Sequence, residues 1–536
     1  MNQEEALWQT IHDEPNDNAP RLVFADWLDE NGDPERAEFI RGQIQLATIR
    51  PWEDQFLPLE IRCKELLRLN SNWLGFLKGS DWIEHYPHDF GRPFLFDRGF
   101  PARVQMEPAD FEANQGRLFA YFPIRRVSLR LEKLASETWS PLSTGGLHQL
   151  ETVRSLPEIG FSFCRQEAAA QELLCCLDHM APLRFFGVGG CSFSEEKARA
   201  ILTCPAVQNV HSLQITGTPL NSSSEMDLAQ SGFPNLRRLV RVWLPDLEWL
   251  NAKWTAQLED LLMDDPGDNI QASDTLLFAN RLPHMNLTSL LLGGMNHWPL
   301  EENGARELGA ALGKCSLKSF GIKMPFQSDP SLTRLLVGSP ELRSLESLFI
   351  QSGGCDKETV RLLMQTPFAS SLKICGLSNV TEDSLGCLAN GPGFPQAVSL
   401  YLGVIWDDPY PRLPDAIQTI LEAETLPRLI RLSIGDCRPW NVTTQTGYER
   451  VGGPIVNPLV MAIARCPGSS RLQDLNLAGM MDSLSSSAVR ALVDSPYLRD
   501  LRLLGVNISQ NDNESRDLLQ ARFRERAKCN GFYEPW

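Results

Sequence analysis

Hydrophobic residues recur along this chain in one short phrase, which places leucine-type residues at its first, fourth and sixth positions (L-x-x-L-x-L). From residue 183 onward the phrase returns about every 25–30 residues. Clear copies begin at Leu183, Leu287, Leu345, Leu429, Leu472 and Leu498. Because side chains alternate between the two faces of a strand, the phrase predicts a short strand with one buried face. Its regular return predicts a repeat architecture.

Apolar residues return at helical spacing after each predicted strand, as in 305–312. Several of these helices end just before a proline such as Pro340, which cannot continue a helix. The predicted unit is therefore strand, loop, helix and turn, and it is legible from 121 to 508. The pattern is blurred at 140–165 and 236–275.

The packing distances of strands and helices predict how these units stack. Strands lie about 4.8 Å apart, whereas helices need about 10 Å. We therefore expect an α/β solenoid with a concave parallel sheet and convex helices. Three insertions, at 264–274, 406–414 and 438–457, fall between a strand and its helix and are expected to project from one edge.

The repeated unit resembles the longer leucine-rich repeats of the ribonuclease-inhibitor type. Those repeats usually place Asn or Cys after the strand, and Cys191 and Cys437 match. Met295, Pro325 and Met480 depart from that pattern, so the usual side-chain ladder is incomplete. The resemblance implies an extended binding surface and does not identify what binds.

The spacing of apolar residues in 1–50 predicts a small domain of three helices. Asp33 and Pro34 have the residue types of a helix start. This segment resembles the bacterial repeat-companion domain, a module found upstream of leucine-rich repeats, which implies no known activity. The matching residues are 21–28 (RLVFADWL), 32–34 (GDP), 38–41 (EFIR) and Gln43. Asp26 is expected to pair with Arg21 or Arg41.

The flanks of the repeats are assigned from position and pattern. Residues 51–120 are predicted to be a transitional N-terminal flank of the solenoid, with helices near 59–76 and 108–119. Residues 509–536 are predicted to form a C-terminal cap around an amphipathic helix at 514–528.

Charge and composition restrict the partner and the compartment. The net charge of −17 disfavours nucleic acid and anionic membrane surfaces. The first residues lack the features of a signal peptide, and no apolar run is long enough to span a membrane. Thirteen cysteines without CxxC pairs indicate reduced, mostly buried thiols in a cytoplasmic protein.

Candidate binding residues follow from the phrase, because its third and fifth positions point to the concave side. The third position is serine in five successive predicted units, Ser289, Ser319, Ser347, Ser371 and Ser399. The fifth position carries larger residues, Leu291, Phe349, Lys373 and Tyr401. One explanation is that serine is small enough for the concave side, where side chains crowd together. The alternative is a shallow groove with apolar anchors, which is typical of interfaces. Trp298, Trp406 and Trp440 either extend this surface along the loop edge or pack their own loops.

Metal and catalytic patterns are incomplete. The string Asp29-x-Asn31-x-Asp33 lacks the glycine and the terminal glutamate of a calcium loop. His85-x-x-His88-Asp89 lacks further ligands at informative spacing. The glycines 309 and 313 do not match a phosphate loop, and Gly313 is expected to end a helix. No catalytic triad pattern is present. We therefore expect no metal, no cofactor and no enzymatic activity.

The main functional hypothesis is a non-enzymatic scaffold that binds a protein or peptide on the concave face or the loop edge. One alternative is an enzyme or effector whose chemistry lies in 51–120 or in the 438–457 insertion. Another is a structural spacer whose N-terminal module docks to a partner. The sequence does not determine the identity of the partner or the oligomeric state.

Overall fold

The computed structural model forms two compact units. The first comprises Met1–Arg50 and Asn70–Pro299 with Trp536, and the second comprises Pro51–Leu69 and Leu300–Pro535. The residues that the structure describes are 2–78, 80, 96–135, 138–141, 151–162, 167–191, 193–216, 232–242, 247–264, 272–293, 302–323, 330–351, 355–404, 413–423, 425–436, 456–480, 483–509 and 512–529. The predicted insertions lie almost entirely outside this set.

The first unit begins with the three predicted helices, α1 (Gln3–Asp13), α2 (Ala19–Glu30) and α3 (Pro34–Leu46). The Asp33 side chain caps α3 by accepting a hydrogen bond from the Arg36 amide at 3.2 Å, as its sequence position predicts. Phe24 of α2 is fully buried in a small apolar core that Ile11 and Ile40 share.

The rest of the first unit contains two antiparallel hairpins and a parallel sheet. The hairpins are β1 (Phe96–Asp97) with β2 (Phe100–Pro101), and β5 (Glu132–Ala135) with β6 (Thr138–Pro141). Within the described residues of this unit, eight strands pair in parallel: β3 (Arg103–Met106), β4 (Arg126–Arg130), β7 (Glu158–Ser162), β8 (Phe185–Gly189), β9 (Ser212–Thr216), β10 (Arg238–Val242), β11 (Asp260–Asp264) and β12 (Ser289–Leu292). Its helices are α5 (Pro108–Tyr121), α6 (Glu151–Arg154), α7 (Glu167–Leu177), α8 (Glu195–Thr203), α9 (Pro205–Gln208) and α10 (Ala272–Arg281).

The parallel sheet starts one strand earlier than the repeat phrase indicates. The sequence places the first repeat strand at 124–129, which corresponds to β4. In the structure β3 pairs with β4 in parallel, and Val104 lies opposite Val127. Val104 and Met106 alternate with less buried residues, so β3 shows the strand period without the leucines of the phrase.

The blurred segment at 236–275 lacks a long helix between its strands. Two short 3-10 turns, Glu248–Asn251 and Lys253–Gln257, connect β10 to β11. Trp249 and Trp254 stack there with ring centroids 5.9 Å apart, and both are buried. Two large rings thus occupy this connection, which explains why the helical period is missing from the sequence.

The second unit repeats the same strand–helix alternation. Within the described residues its parallel strands are β13 (Ser319–Lys323), β14 (Ser347–Gln351), β15 (Ile374–Val380), β16 (Ser399–Val404), β17 (Arg431–Asp436), β18 (Asp474–Asn476), β19 (Leu503–Val506) and β20 (Ala527–Cys529). Its helices are α4 (Phe56–Leu69), α11 (Glu302–Lys314), α12 (Pro330–Val337), α13 (Lys357–Gln365), α14 (Glu382–Asn390), α15 (Leu413–Glu422), α16 (Val456–Arg465), α17 (Ser486–Asp494) and α18 (Asn513–Phe523). Consecutive parallel strands joined through helices fit the predicted leucine-rich-repeat fold.

Gly313 does not end its helix as the sequence predicts, because α11 continues to Lys314. A Cβ atom at Gly309 would lie 2.7 Å from the Leu335 carbonyl oxygen, and one at Gly313 would lie 2.5 Å from the Cβ of Glu341. These glycines therefore permit a close approach to the next helical segment.

The C-terminal helix α18 is shorter than the predicted 514–528. It ends at Phe523, and Arg524 follows with a φ of 53°, in the left-handed region. The chain then forms β20, which pairs in parallel with β19. The described part of the cap therefore contributes both a helix and a further strand.

The predicted 51–120 flank is divided between the two units. Residues Pro51–Leu69, which include α4, belong to the second unit, and the remainder belongs to the first. Leu57 and Ile61 of α4 are buried against Val398 and Leu503, which lie far from it in the sequence. This placement determines the geometry of the candidate site.

Candidate interaction surface

In each unit, one face of the parallel strands carries side chains that point away from the repeat helices. We call this face the open face. In β12 the third- and fifth-position residues, Ser289 and Leu291, are half-buried, whereas Leu290 and Leu292 are buried. In the second unit the strand register defines two rows on this face. The third-position row is Ser319, Ser347, Ile374, Ser399, Arg431, Asp474 and Leu503. The fifth-position row is Gly321, Phe349, Gly376, Tyr401, Ser433, Asn476 and Gly505.

The sequence assigns the wrong register to two strands, β15 and β19. In β15, Ile374 pairs with Ser347, and Gly376 pairs with Phe349, so they hold the positions predicted for Ser371 and Lys373. Cys375 is the reason, because it occupies the buried site that leucine or phenylalanine fills in neighbouring strands.

Ser371 and Lys373 therefore precede the third-position row. Ser371 ends the preceding turn, and its hydroxyl donates a hydrogen bond to the Leu345 carbonyl at 2.8 Å. Lys373 lies level with Glu346, whose carbonyl accepts from the Lys373 amide at 2.8 Å. Their side chains belong to the edge of the open face at which the strands begin.

The serines of the third-position row form a floor with little exposure. Ser319, Ser347 and Ser399 are each 9 % exposed or less. Phe349 and Tyr401, in the fifth-position row, remain half-buried. The two aromatic residues pair with the same glycine, Gly376, on the strand between them. Because adjacent strands are about 4.8 Å apart, the two aromatic positions are separated by about 10 Å.

Helix α4 lies over the third-position end of this face in the second unit. Leu57 and Ile61 pack with Val398 and Leu503, and Ile430 lies at the margin of this contact. Leu503 belongs to the third-position row, yet it is only 1 % exposed. The sequence places Leu503 at the sixth, buried position of the copy that begins at Leu498. Its pairing with Asp474 instead puts it on the open face, where α4 covers it.

A buried network of charges fixes the middle of α4 to the sheet. The Arg431 guanidinium donates through Nη2 to the Glu60 carboxylate at 2.9 Å and through Nε to Asp474 at 2.8 Å. Lys64 contacts Glu60 at 2.8 Å. Burial alone would raise the pKa of Glu60, but Arg431 and Lys64 outweigh it and lower that pKa to about 2. Glu60 is thus ionised at neutral pH.

A second chain of ion pairs fixes the segment that precedes α4. The Lys373 ammonium lies 2.8 Å from Asp54 and 2.9 Å from Glu346. Glu346 also accepts a hydrogen bond from Lys318 at 2.8 Å. Burial favours the neutral amine, but Asp54 and Glu346 outweigh it and raise the pKa of Lys373. The hydrogen bond from Lys373 is also the main reason why the pKa of Asp54 is lowered.

The C-terminal end of α4 contacts the last strands of the unit. Glu65 lies 3.0 Å from Arg502 and 3.5 Å from Arg526. The Arg68 side chain donates a hydrogen bond to the Arg526 carbonyl at 2.7 Å. The ion pairs of 54–68 therefore run from Lys373, which precedes β15, to Arg526, which precedes β20.

The residues that bind α4 were not predicted from the sequence. Arg431 and Asp474 occupy the third position, where β13, β14 and β16 of the same unit have serine, and this change of residue type was the available signal. The loop-edge candidates Trp298, Trp406 and Trp440 lie outside the described residues, as do His85, His88 and Asp89.

Among the described residues we find neither a metal-binding group nor a disulfide bond. In that part of the chain no group of three or more His, Cys, Asp or Glu residues could hold a metal ion. Ten cysteines of the described residues are free thiols, and most of them are buried. Within the same residues no helix combines the length and apolarity that a membrane crossing requires.

Comparisons with known proteins give only distant similarities. No family model matches the chain, and no curated protein matches it. Among solved structures, the chain is similar to one described as the TLR13–ssRNA13 complex, with 12 % identity, a TM-score of 0.34 and coverage of 73 % of this chain and 46 % of that chain. It is also similar to the Rad7–Elc1 complex of yeast, with 15 % identity, a TM-score of 0.36 and coverage of 65 % and 76 %.

The chain thus spans less than half of the first of these structures. Both neighbours are of the leucine-rich-repeat type. At these identities and TM-scores neither similarity carries an inference about function, and the fold assignment rests on the parallel pairing described above.

Proposed function

We propose that the protein is a non-enzymatic interaction scaffold that binds a polypeptide segment on the open face of the second unit, beside α4. Phe349 and Tyr401 are its apolar anchors. The observation that carries the proposal is the placement of these two half-buried aromatic rings on either side of Gly376, above a floor of buried serines. Large aromatic side chains surrounded by small residues are typical of the sites that dominate binding energy in protein interfaces.

Helix α4 supports this proposal by showing what the open face accommodates. It binds through two aliphatic side chains, Leu57 and Ile61, and through carboxylates placed opposite basic residues. An interface of this kind has an apolar centre and charged margins, as protein–protein interfaces commonly do. A partner segment of similar character, apolar with acidic neighbours, suits the adjoining part of the face, where Lys323 is exposed.

The remaining assignments are part of the same proposal. The repeats are of the ribonuclease-inhibitor type, and residues 1–50 are a bacterial repeat-companion module that accompanies them. The protein acts in the cytoplasm, where its free thiols remain reduced. Its net charge of −17 favours a protein partner over nucleic acid.

The test compares capture by the wild type with capture by the double variant Phe349→Ala, Tyr401→Ala. Tyr121→Ala is the matched control, because Tyr121 is 61 % exposed and lies in the first unit. Proteins retained by the wild type from its native cell are identified by mass spectrometry, and the partner is then purified and its Kd measured. We expect the double variant to bind at least about 30-fold more weakly, as loss of an interface hot spot implies.

The thermal stability of the double variant should stay close to that of the wild type, because both rings are only half-buried. Tyr121→Ala should retain the wild-type Kd. An unchanged Kd in the double variant, with the variant folded, would refute the assignment of the binding surface.

A further inference from the structure

Three arginines converge where the N-terminal helices meet the β1–β2 hairpin of the first unit. We call Arg21, Arg98 and Arg125 the arginine cluster. Arg98 donates from Nη1 to the Asn16 carbonyl at 2.8 Å and from Nη2 to the Pro15 carbonyl at 2.9 Å. Arg21 donates from Nη1 to the next carbonyl, that of Asp17, at 2.7 Å. Both guanidinium groups therefore hold one loop, residues 15–17, and lie close together.

One carboxylate, that of Asp97, joins the third arginine to this group. Asp97 Oδ2 accepts from Arg98 Nη2 at 3.0 Å and from Arg125 Nη1 at 3.0 Å. Burial raises the pKa of Asp97, but the two arginines outweigh it, so that its pKa is lowered and it stays ionised. Glu158, the next carboxylate, lies farther from Arg125, at 3.7 Å, and is hydrogen-bonded to Arg126 at 3.0 Å.

The charges of the cluster do not balance. When Arg103 and Arg126 are counted with the cluster, five guanidinium groups face three carboxylates, those of Asp17, Asp97 and Glu158. The net charge is then +2 (five minus three), in a chain whose total charge is −17. Asp26, a partner that the sequence suggested for Arg21, is paired with Arg41 at 2.6 Å instead. Arg21 is only 1 % exposed, and burial together with Arg98 and Arg125 lowers its pKa to about 10.

Hydrogen-bond donors in the cluster are also unused. Within the described residues, Nε of Arg21 and Nε of Arg125 are buried and have no hydrogen-bond partner. Buried donors are almost always paired in folded proteins, so these two Nε atoms give the positively charged cluster unused donor capacity. Solvent reaches the cluster at its margin, because the Asp97 side chain is 20 % exposed and that of Arg125 is 13 % exposed.

We propose that the arginine cluster binds a phosphate dianion, as inorganic phosphate or as a terminal phosphomonoester. A dianion neutralises the net charge of +2, and its oxygens match the donor geometry of guanidinium groups. A phosphodiester, such as a nucleic-acid backbone, carries one charge per phosphate and fits less well. The site places a ligand at the junction between the repeat-companion-like helices and the hairpin, so binding stabilises this junction.

The test measures binding of inorganic phosphate to the full-length protein by titration calorimetry, and thermal unfolding with chloride at equal ionic strength as the reference. We expect phosphate to raise the unfolding temperature, and its affinity to fall as the pH is lowered through the second pKa of inorganic phosphate, where the dianion becomes protonated. Phenyl phosphate should bind comparably if a monoester is accepted, and failure to bind would restrict the site to the free ion. Dimethyl phosphate should bind at least about tenfold more weakly.

Variants separate this site from general charge effects. Arg21→Gln should weaken phosphate binding by about tenfold or more. Arg41→Gln, in the neighbouring helix α3 and paired with Asp26 outside the cluster, should leave the affinity unchanged. Asp97→Asn removes the competing carboxylate and should tighten binding, which keeps the proposal testable if Arg21→Gln does not fold. Equal unfolding temperatures in phosphate and chloride, or weaker binding by Asp97→Asn, would overturn the proposal.

Discussion

Glu60 of α4 and Arg431 of β17 are 371 residues apart in the sequence, and their side chains meet at 2.9 Å in an ion pair that is buried on both sides. The pair joins the segment that follows the N-terminal helices to the open face of the second unit. It therefore decides which part of that face α4 covers.

Removal of Arg431 should be strongly destabilising. Arg431→Met would leave Glu60 and Asp474 buried without their shared cation, which typically costs about 3–5 kcal/mol. The free energy of unfolding by urea measures this loss. Arg306→Gln is the control, because its ion pair with Glu302 is well exposed and should contribute less than about 1 kcal/mol. Similar losses in both variants would show that the network does not hold the fold.

The same ion pair predicts a specific pH dependence. The pKa of Glu60 falls from 4.5 to about 2 on folding, so the unfolded chain binds more protons between these values. The stability that Glu60 contributes is fully present above pH 4.5 and is lost as the pH falls toward 2. Unfolding free energies of the wild type and of Glu60→Gln should therefore converge as the pH is lowered through this window. A constant difference would contradict the assignment.

The repeat strands and helices were predictable because their signals are local. An alternating strand with buried leucines or a helix with one apolar face appears within about ten residues of sequence, and most of these elements lie where expected. The N-terminal helices were likewise predicted, including the cap at Asp33. Where a local signal was absent, as in β3 and in the Trp249–Trp254 connection, the prediction was incomplete.

The position of α4 could not be predicted, because it depends on contacts between distant residues. Nothing in 51–69 taken alone indicates which strands it touches. The charged third-position residues Arg431 and Asp474, which follow serine in β13, β14 and β16, were the available sequence signal. The register of β15 was assigned wrongly because Cys375 occupies the buried position at which the phrase normally has leucine.

Buried thiols should differ from partly exposed thiols in reactivity. Burial raises the pKa of Cys375 to about 12 and that of Cys315 to about 11, so neither is a thiolate near neutral pH. Cys175 and Cys387 are partly exposed. Labelling of the folded protein by iodoacetamide, followed by mass spectrometry, should modify Cys175 and Cys387 well before Cys375. Early labelling of Cys375 would show that β15 is not buried as described.

The central claim, that a polypeptide binds the open face of the second unit at its aromatic residues, is tested most directly by photocrosslinking. A p-benzoylphenylalanine residue is introduced at Phe349 or, as the control, at Tyr121, and each protein is irradiated with the captured partner. We expect a covalent adduct from position 349 and none from position 121. An adduct from position 121 alone, or from neither position while the partner is demonstrably bound, would contradict this account.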